Sequence, residues 1–105
     1  ETGAGCAMVS VSADGEVFPC HMMHDAAFSL GSLLEDLSCL SARHAPAPRV
    51  DELAACGDCD IRYLCGGGCR ARAHFATGDV EARDPYCALM RTFYRLLFEA
   101  MLAHN

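Results

Sequence analysis

The sequence predicts a small, metal-stabilised α+β domain with an N-terminal β-hairpin, cysteine-rich cluster loops and a long C-terminal helix. Three stretches predict it. Residues 7–20 alternate apolar and polar side chains about an Asp-Gly turn, as a hairpin does. Residues 56–69, CGDCDIRYLCGGGC, crowd four thiols into one short run. Residues 85–103 repeat apolar side chains at helical spacing.

In the hairpin, Val9 and Val11 alternate with Ser10 and Ser12, Asp14-Gly15 turns the chain, and Val17-Phe18 begins the return strand. Cys6 precedes the first strand and Cys20 ends the second, so the hairpin sets both thiols at its open end; Pro19 is tolerated at a strand end. The run His21-Met22-Met23-His24 reads as an irregular link. A helix is expected over Ser32–Ser38, with Ser32 as cap, Glu35 three residues on, and Leu33, Leu34 and Leu37 as its apolar stripe. Pro46 and Pro48 mark residues 41–49 as a loop. Val50–Ala55 reads as one or two helical turns leading into the cysteines.

Beyond Cys69, Arg70–Ala76 is expected to be helical and to end at the Thr77-Gly78-Asp79 turn. Asp84-Pro85 has the form of a helix start, a capping carboxylate with proline in the first turn. The helix should run from Pro85 to Ala103, with Met90, Phe93, Tyr94, Leu97 and Met101 on one stripe and Arg91, Arg95 and Glu99 on the wet side. Leu89, Leu96, Phe98 and Leu102 widen the apolar surface beyond one stripe. The helix is therefore either sunk in its own core or packed on a neighbouring domain.

A chain of 105 residues makes one domain with a modest core. Eight basic against fourteen acidic residues give a net charge of −6, and with no basic run this argues against nucleic acid as a partner. No apolar run is long enough for a membrane span and no signal-peptide pattern opens the chain, so a cytoplasmic protein that does not engage membrane is expected. The chain opens at Glu1-Thr2-Gly3 without methionine, which leads us to expect further sequence upstream.

The thiols carry the chemistry. A Cys-x2-Cys turn lets two thiolates grip one inorganic centre, and Gly66, Gly67 and Gly68 let backbone approach the sulfur. Structural zinc favours two clean sets of four ligands, whereas only Cys56 and Cys59 form a Cys-x2-Cys pair. Iron–sulfur clusters accept uneven spacing and suit a glycine-rich N–H environment. Both remain open on spacing, with a disulfide framework third. Cys39 sits in Leu37-Ser38-Cys39-Leu40, the setting of a small core residue. His24, His44, His74 and His104 have no visible partners in sequence and are expected to face solvent. Arg62, Arg70 and Arg72 flank the loop and could offset cluster charge; otherwise they are ordinary surface arginines.

The run Cys56-x2-Cys59-x5-Cys65-x3-Cys69 followed by Cys87 resembles the SPASM domain, the auxiliary-cluster domain of radical S-adenosylmethionine enzymes that modify peptides or proteins. Gly3-Ala4-Gly5 and Asp14-Gly15-x4-Cys20 are similar to that domain's opening hairpin. Phe28-Ser29-Leu30-Gly31-Ser32-Leu33 resembles its leucine-glycine-asparagine step, with Ser32 in the asparagine's place. Cys65-Gly-Gly-Gly-Cys-Arg-Ala-Arg-Ala73, Thr77-Gly78-Asp79 and Asp84-Pro85-x-Cys87 also match, so the resemblance covers nearly all of residues 1–105.

The resemblance implies two auxiliary clusters of the 4Fe-4S kind. Cys56, Cys59, Cys65 and Cys87 would hold the second. Cys69 would cross to the first and join Cys20 and an upstream thiol, as a loop's last cysteine does in two-cluster ferredoxins. Here Thr2 stands where relatives often carry a cysteine, and Cys6, which follows the glycines instead, is assigned to the first cluster; its fourth ligand is then an upstream residue, Cys39, His21 or an open iron site. The family's S-adenosylmethionine-cleaving motif, Cys-x3-Cys-x2-Cys, would need a cysteine at Arg72, so that chemistry would belong to a barrel elsewhere in the same polypeptide. The resemblance further implies a peptide or protein substrate, an external electron carrier and a role in oxidoreductase electron transfer. A zinc-binding interaction module and a stand-alone ferredoxin-like carrier are the alternatives.

Overall fold

A computed structural model describes residues 8–35 and 48–104. The chain divides into two compact units, Thr2–Ala47 and Pro48–Asn105. Cys6, Cys39 and the end of the helix expected after Ser32 lie outside the described residues.

In the first unit the hairpin forms as its alternation dictates. Strand β1 (Ser10–Val11) pairs antiparallel with β2 (Glu16–Phe18), Ser10 opposite Phe18 and Val11 opposite Val17. Gly15 closes the turn with φ 88°, and its N–H donates to Ser12 O at 2.9 Å. Val17, Phe18 and Pro19 are buried, and Met23 and Leu30 join them.

A third strand, β3 (Gly31–Ser32), takes the other edge of β2, giving a three-stranded antiparallel sheet of order β1-β2-β3. Ser32 thus lies in a strand where the sequence suggested a helix cap. The reason is local. Gly31, at φ 124°, brings the chain alongside β2, which it bonds through Leu30 N–H to Val17 O, and Leu33 N–H bonds Gly15 O in the turn before β2, both at 2.8 Å. The Ser32 hydroxyl accepts the Leu34 N–H at 3.1 Å in a tight turn. His24 is exposed but has partners, stacking on Phe18 with ring centroids 4.4 Å apart and bonding the Ser10 hydroxyl at 2.7 Å.

The second unit opens with two 3-10 turns, Val50–Glu52 and Ala54–Cys56, hinged at the buried Leu53. Helix α1 (Arg62–Cys65) is one turn that spacing did not reveal, closed by Gly66 at φ 70°. Helix α2 (Arg70–Thr77) runs as expected and is closed by Gly78 at φ 82°. Helix α3 (Cys87–Ala103) starts two residues after Pro85. The apolar core of this unit is Leu53, Ala71 and Ala73. Gly67 sits against Leu53 so tightly that a Cβ there would meet Leu53 Cδ1 at 2.5 Å.

No residue of α3 is buried. Cys87, Met90 and Tyr94 are half-buried on one face, whereas Leu89, Phe93, Leu96, Met101 and Leu102 are more than half exposed. Of the two expectations for this helix, burial in its own core does not hold. Among the described residues no helix is long and apolar enough to cross a membrane.

Candidate metal centre

Four thiols of the second unit line one cavity: Cys56, Cys59, Cys65 and Cys87. Each is placed by a separate piece of backbone. Cys56 ends the second 3-10 turn, and Cys59 N–H donates to Cys56 O at 3.1 Å, folding the Cys-x2-Cys pair inward. Cys65 is the last residue of α1, and Cys87 is the first of α3.

Side chains tie these pieces together. Arg62 Nη1 donates to Gly57 O at 3.2 Å and Cys59 O at 3.1 Å, fixing the Cys56–Cys59 turn to α1. The Tyr94 hydroxyl donates to Leu64 O at 3.0 Å, pinning α3 to α1 and thereby Cys87 to Cys65. Tyr94→Phe should loosen this link by about 1 kcal/mol, the worth of one ordinary hydrogen bond, read as faster amide exchange in α1 and the first turns of α3. Unchanged exchange would show that apolar contact alone holds the helices together.

Cys56 feels the gathering. Burial pushes its thiol above the ordinary value and the adjoining Cys59, Cys65 and Cys87 push it further, while Arg70 pulls it down. Four thiolates so placed repel one another, and a bound metal cation is what allows all of them to ionise. Cys20, Cys56, Cys59, Cys65, Cys69 and Cys87 are all free thiols. Among the described residues no three His, Cys, Asp or Glu side chains converge closely enough to hold a single metal ion.

Cys69 does not line that cavity. It caps α2, its sulfur accepting Arg72 N–H at 3.5 Å, and its own N–H donates to Asp84 Oδ2 at 2.5 Å. Cys20, in the first unit, is half-buried with its sulfur accepting Met22 N–H at 3.3 Å, and His21 beside it is exposed. Cys6 lies outside the described residues.

Asp84 and Arg70 are what sequence reading underrated. Asp84 was expected only to cap a helix. It does bond Tyr86 N–H at 2.8 Å, but it is also buried, takes Cys69 N–H, and pairs with Arg72 Nε at 3.1 Å and Nη2 at 2.7 Å. Burial pushes the Asp84 carboxyl up, and the bonds from Arg72, Tyr86 and Cys69 outweigh it and hold the group below the usual carboxylate value. The carboxylate thus ties the backbone N–H of Cys69 to that of Tyr86, the residue before Cys87. Arg72 also lies over the Tyr86 ring, 4.3 Å from its centroid. Arg70 is only 3% exposed, where the sequence left open a surface arginine. The one cue in sequence was the Asp-Pro pair so near Cys87; nothing marked Arg70 as buried.

No protein-family model matches the chain, and no solved structure matches it significantly. Among curated proteins it is similar to an AdoMet-dependent heme synthase of Methanosarcina barkeri, 34% identical over 79% of this chain and 24% of that protein. It is likewise similar to a PqqA peptide cyclase of Granulibacter bethesdensis, 33% identical over 77% of this chain and 23% of that protein. A second AdoMet-dependent heme synthase, from Nitratidesulfovibrio vulgaris, is 28% identical over 80% of the chain. The chain spans about a quarter of the length of these relatives. Similarity to both kinds of enzyme supports the radical S-adenosylmethionine relationship that the cysteine pattern implied.

Proposed function

We propose that this chain is an auxiliary iron–sulfur domain of a radical S-adenosylmethionine enzyme that oxidatively modifies a peptide or protein. The observation that carries the reading is the gathering of Cys56, Cys59, Cys65 and Cys87 around one cavity. Four soft, free thiols around one cavity, at the uneven spacing that iron–sulfur clusters accept, fit a polynuclear iron–sulfur core better than a lone zinc ion. The thin core argues the same way. Leu53 and two alanines bury too little apolar surface to offset the ordering of the second unit, so an inorganic staple is the expected supplement.

When bound, such a cluster supplies single-electron transfer. The chain's own residues do the rest. Arg62 holds the Cys56–Cys59 turn, Tyr94 sets Cys87 against α1, and Asp84 fixes the approaches to Cys69 and Cys87. Cys69, which stands off the four-thiol cavity, goes by the family pattern with Cys20 to the first cluster, and we assign Cys6 to it as well. The S-adenosylmethionine chemistry belongs, in this proposal, to a barrel of the same polypeptide, and the exposed apolar side of α3 is the surface offered to it. The peptide named in one group of relatives is the basis for a peptide substrate here.

Anaerobic reconstitution of the intact protein, with iron, sulfide and zinc counted per chain, tests the reading. Iron and sulfide beyond one cluster's content are expected, with visible charge-transfer absorption. Cys59→Ala should remove about half of the auxiliary iron and spare the rest, since it belongs to one set of ligands. Cys69→Ala should spare the Cys56 set instead. A colourless protein carrying zinc alone would end the proposal.

A further inference from the structure

Among the described residues Arg70 faces no anion. It is 3% exposed, at the first position of α2, and its partners are all neutral carbonyls: Gly67 O, Val80 O at 2.9 Å and Ala82 O at 2.7 Å. Its Nε is buried with no partner. Asp84, the carboxylate nearest in the network, is engaged by Arg72. A buried guanidinium keeps its charge at any ordinary pH, and such a charge costs several kcal/mol unless an opposite one compensates it. Among the described residues no carboxylate does so for Arg70.

The opposite charge that this side of the unit can offer is thiolate. Gly67, whose carbonyl Arg70 grips, lines the four-thiol cavity, so the guanidinium braces the loop that forms the cavity wall. We infer that Arg70 is the built-in counter-charge of the cluster held by Cys56, Cys59, Cys65 and Cys87, a positioning residue that holds the glycine loop by its fork and sets the cluster's affinity and reduction potential by its charge. The inference rests on the reading of those four thiols as a cluster site. Its sign is fixed: a reduced cluster carries one more negative charge than an oxidised one, so a nearby cation favours reduction.

Arg70→Gln and Arg70→Lys in the intact, anaerobically reconstituted protein separate charge from shape. The signal to follow is the one that disappears in Cys59→Ala. With Arg70→Gln, its reduced-to-oxidised ratio at fixed potential should fall about tenfold, about 59 mV for a one-electron couple. Iron loss to a chelator should quicken by about tenfold. Arg70→Lys, which keeps the charge, should stay within about threefold of wild type in the ratio. Equal shifts in both variants, or no shift in Arg70→Gln, would overturn the inference. Should Arg70→Gln fail to accumulate in folded form by circular dichroism, Arg70→Lys decides alone, since a tenfold change there contradicts a charge-based role. A wild-type protein that takes up no iron is a different result: it sinks the cluster reading itself rather than Arg70's part in it.

Discussion

Asp84→Ala should destabilise the second unit by about 3 kcal/mol, the largest loss expected of any single side chain outside the thiols. The carboxylate is 4% exposed and accepts from Cys69 N–H, Tyr86 N–H and both Nε and Nη2 of Arg72. Hydrogen bonds to a charged group are worth about 1.5–3 kcal/mol each, and their removal strands partly buried donors, Arg72 among them. The bonds are not independent, so their sum overstates the cost. Asp84→Asn keeps one acceptor oxygen but no charge and should fall between wild type and alanine. Denaturant midpoints of the three proteins check the order. Because Cys69 and Cys87 approach through this carboxylate's donors, iron content should fall at both sets of thiols. A midpoint for Asp84→Ala equal to wild type would show that the backbone turn alone holds residues 69 and 87 in place.

Gly68→Ala comes next, and its comparison with Gly78→Ala isolates the cause. Both glycines adopt left-handed backbone, φ 76° and 82° respectively. That conformation alone costs an L-residue about 1–2 kcal/mol. At Gly78 a Cβ would meet nothing within 4 Å, so strain is the whole effect, about 1 kcal/mol. At Gly68 the Cβ would run into the Asp84 side chain, reaching its Cβ at 2.8 Å and colliding with its carboxylate. Asp84 cannot yield without releasing Cys69 and Arg72, so the cost should rise to about 2–3 kcal/mol, with iron binding impaired as in Asp84→Ala. Thermal midpoints of the two variants give the test. Equal losses would mean that the contact between loop and carboxylate is slack.

Much of this was legible because it is local. Asp14-Gly15 between alternating valines and serines can hardly be anything but a hairpin turn, and the apolar period of residues 87–103 dictates a helix whatever it packs against. The thiol spacing likewise pointed to convergence, and Cys56, Cys59, Cys65 and Cys87 do line one cavity. The errors came where distant segments compete. Ser32 has a cap's sequence environment, but β2 offered an open edge and Gly31 the backbone to reach it, and pairing prevailed over propensity. Helix α1 is a single turn, too short for periodicity to register. The surplus of apolar side chains on α3 was visible in the sequence; that its own unit does not bury them was not.

By itself, then, the sequence determined the mixed α and β character of the fold, the number and spacing of the thiols and the lack of a Cys-x3-Cys-x2-Cys run within residues 1–105, because each of these depends on residue type and short spacing. Only the tertiary structure decided that Cys56, Cys59, Cys65 and Cys87 line one cavity, that Asp84 bonds the backbone of Cys69 rather than merely capping a helix, and that Arg70 is buried with no carboxylate partner among the described residues. Burial and pairing are set by what folds against a residue from elsewhere in the chain, and no local pattern encodes a partner ten or fifteen residues away.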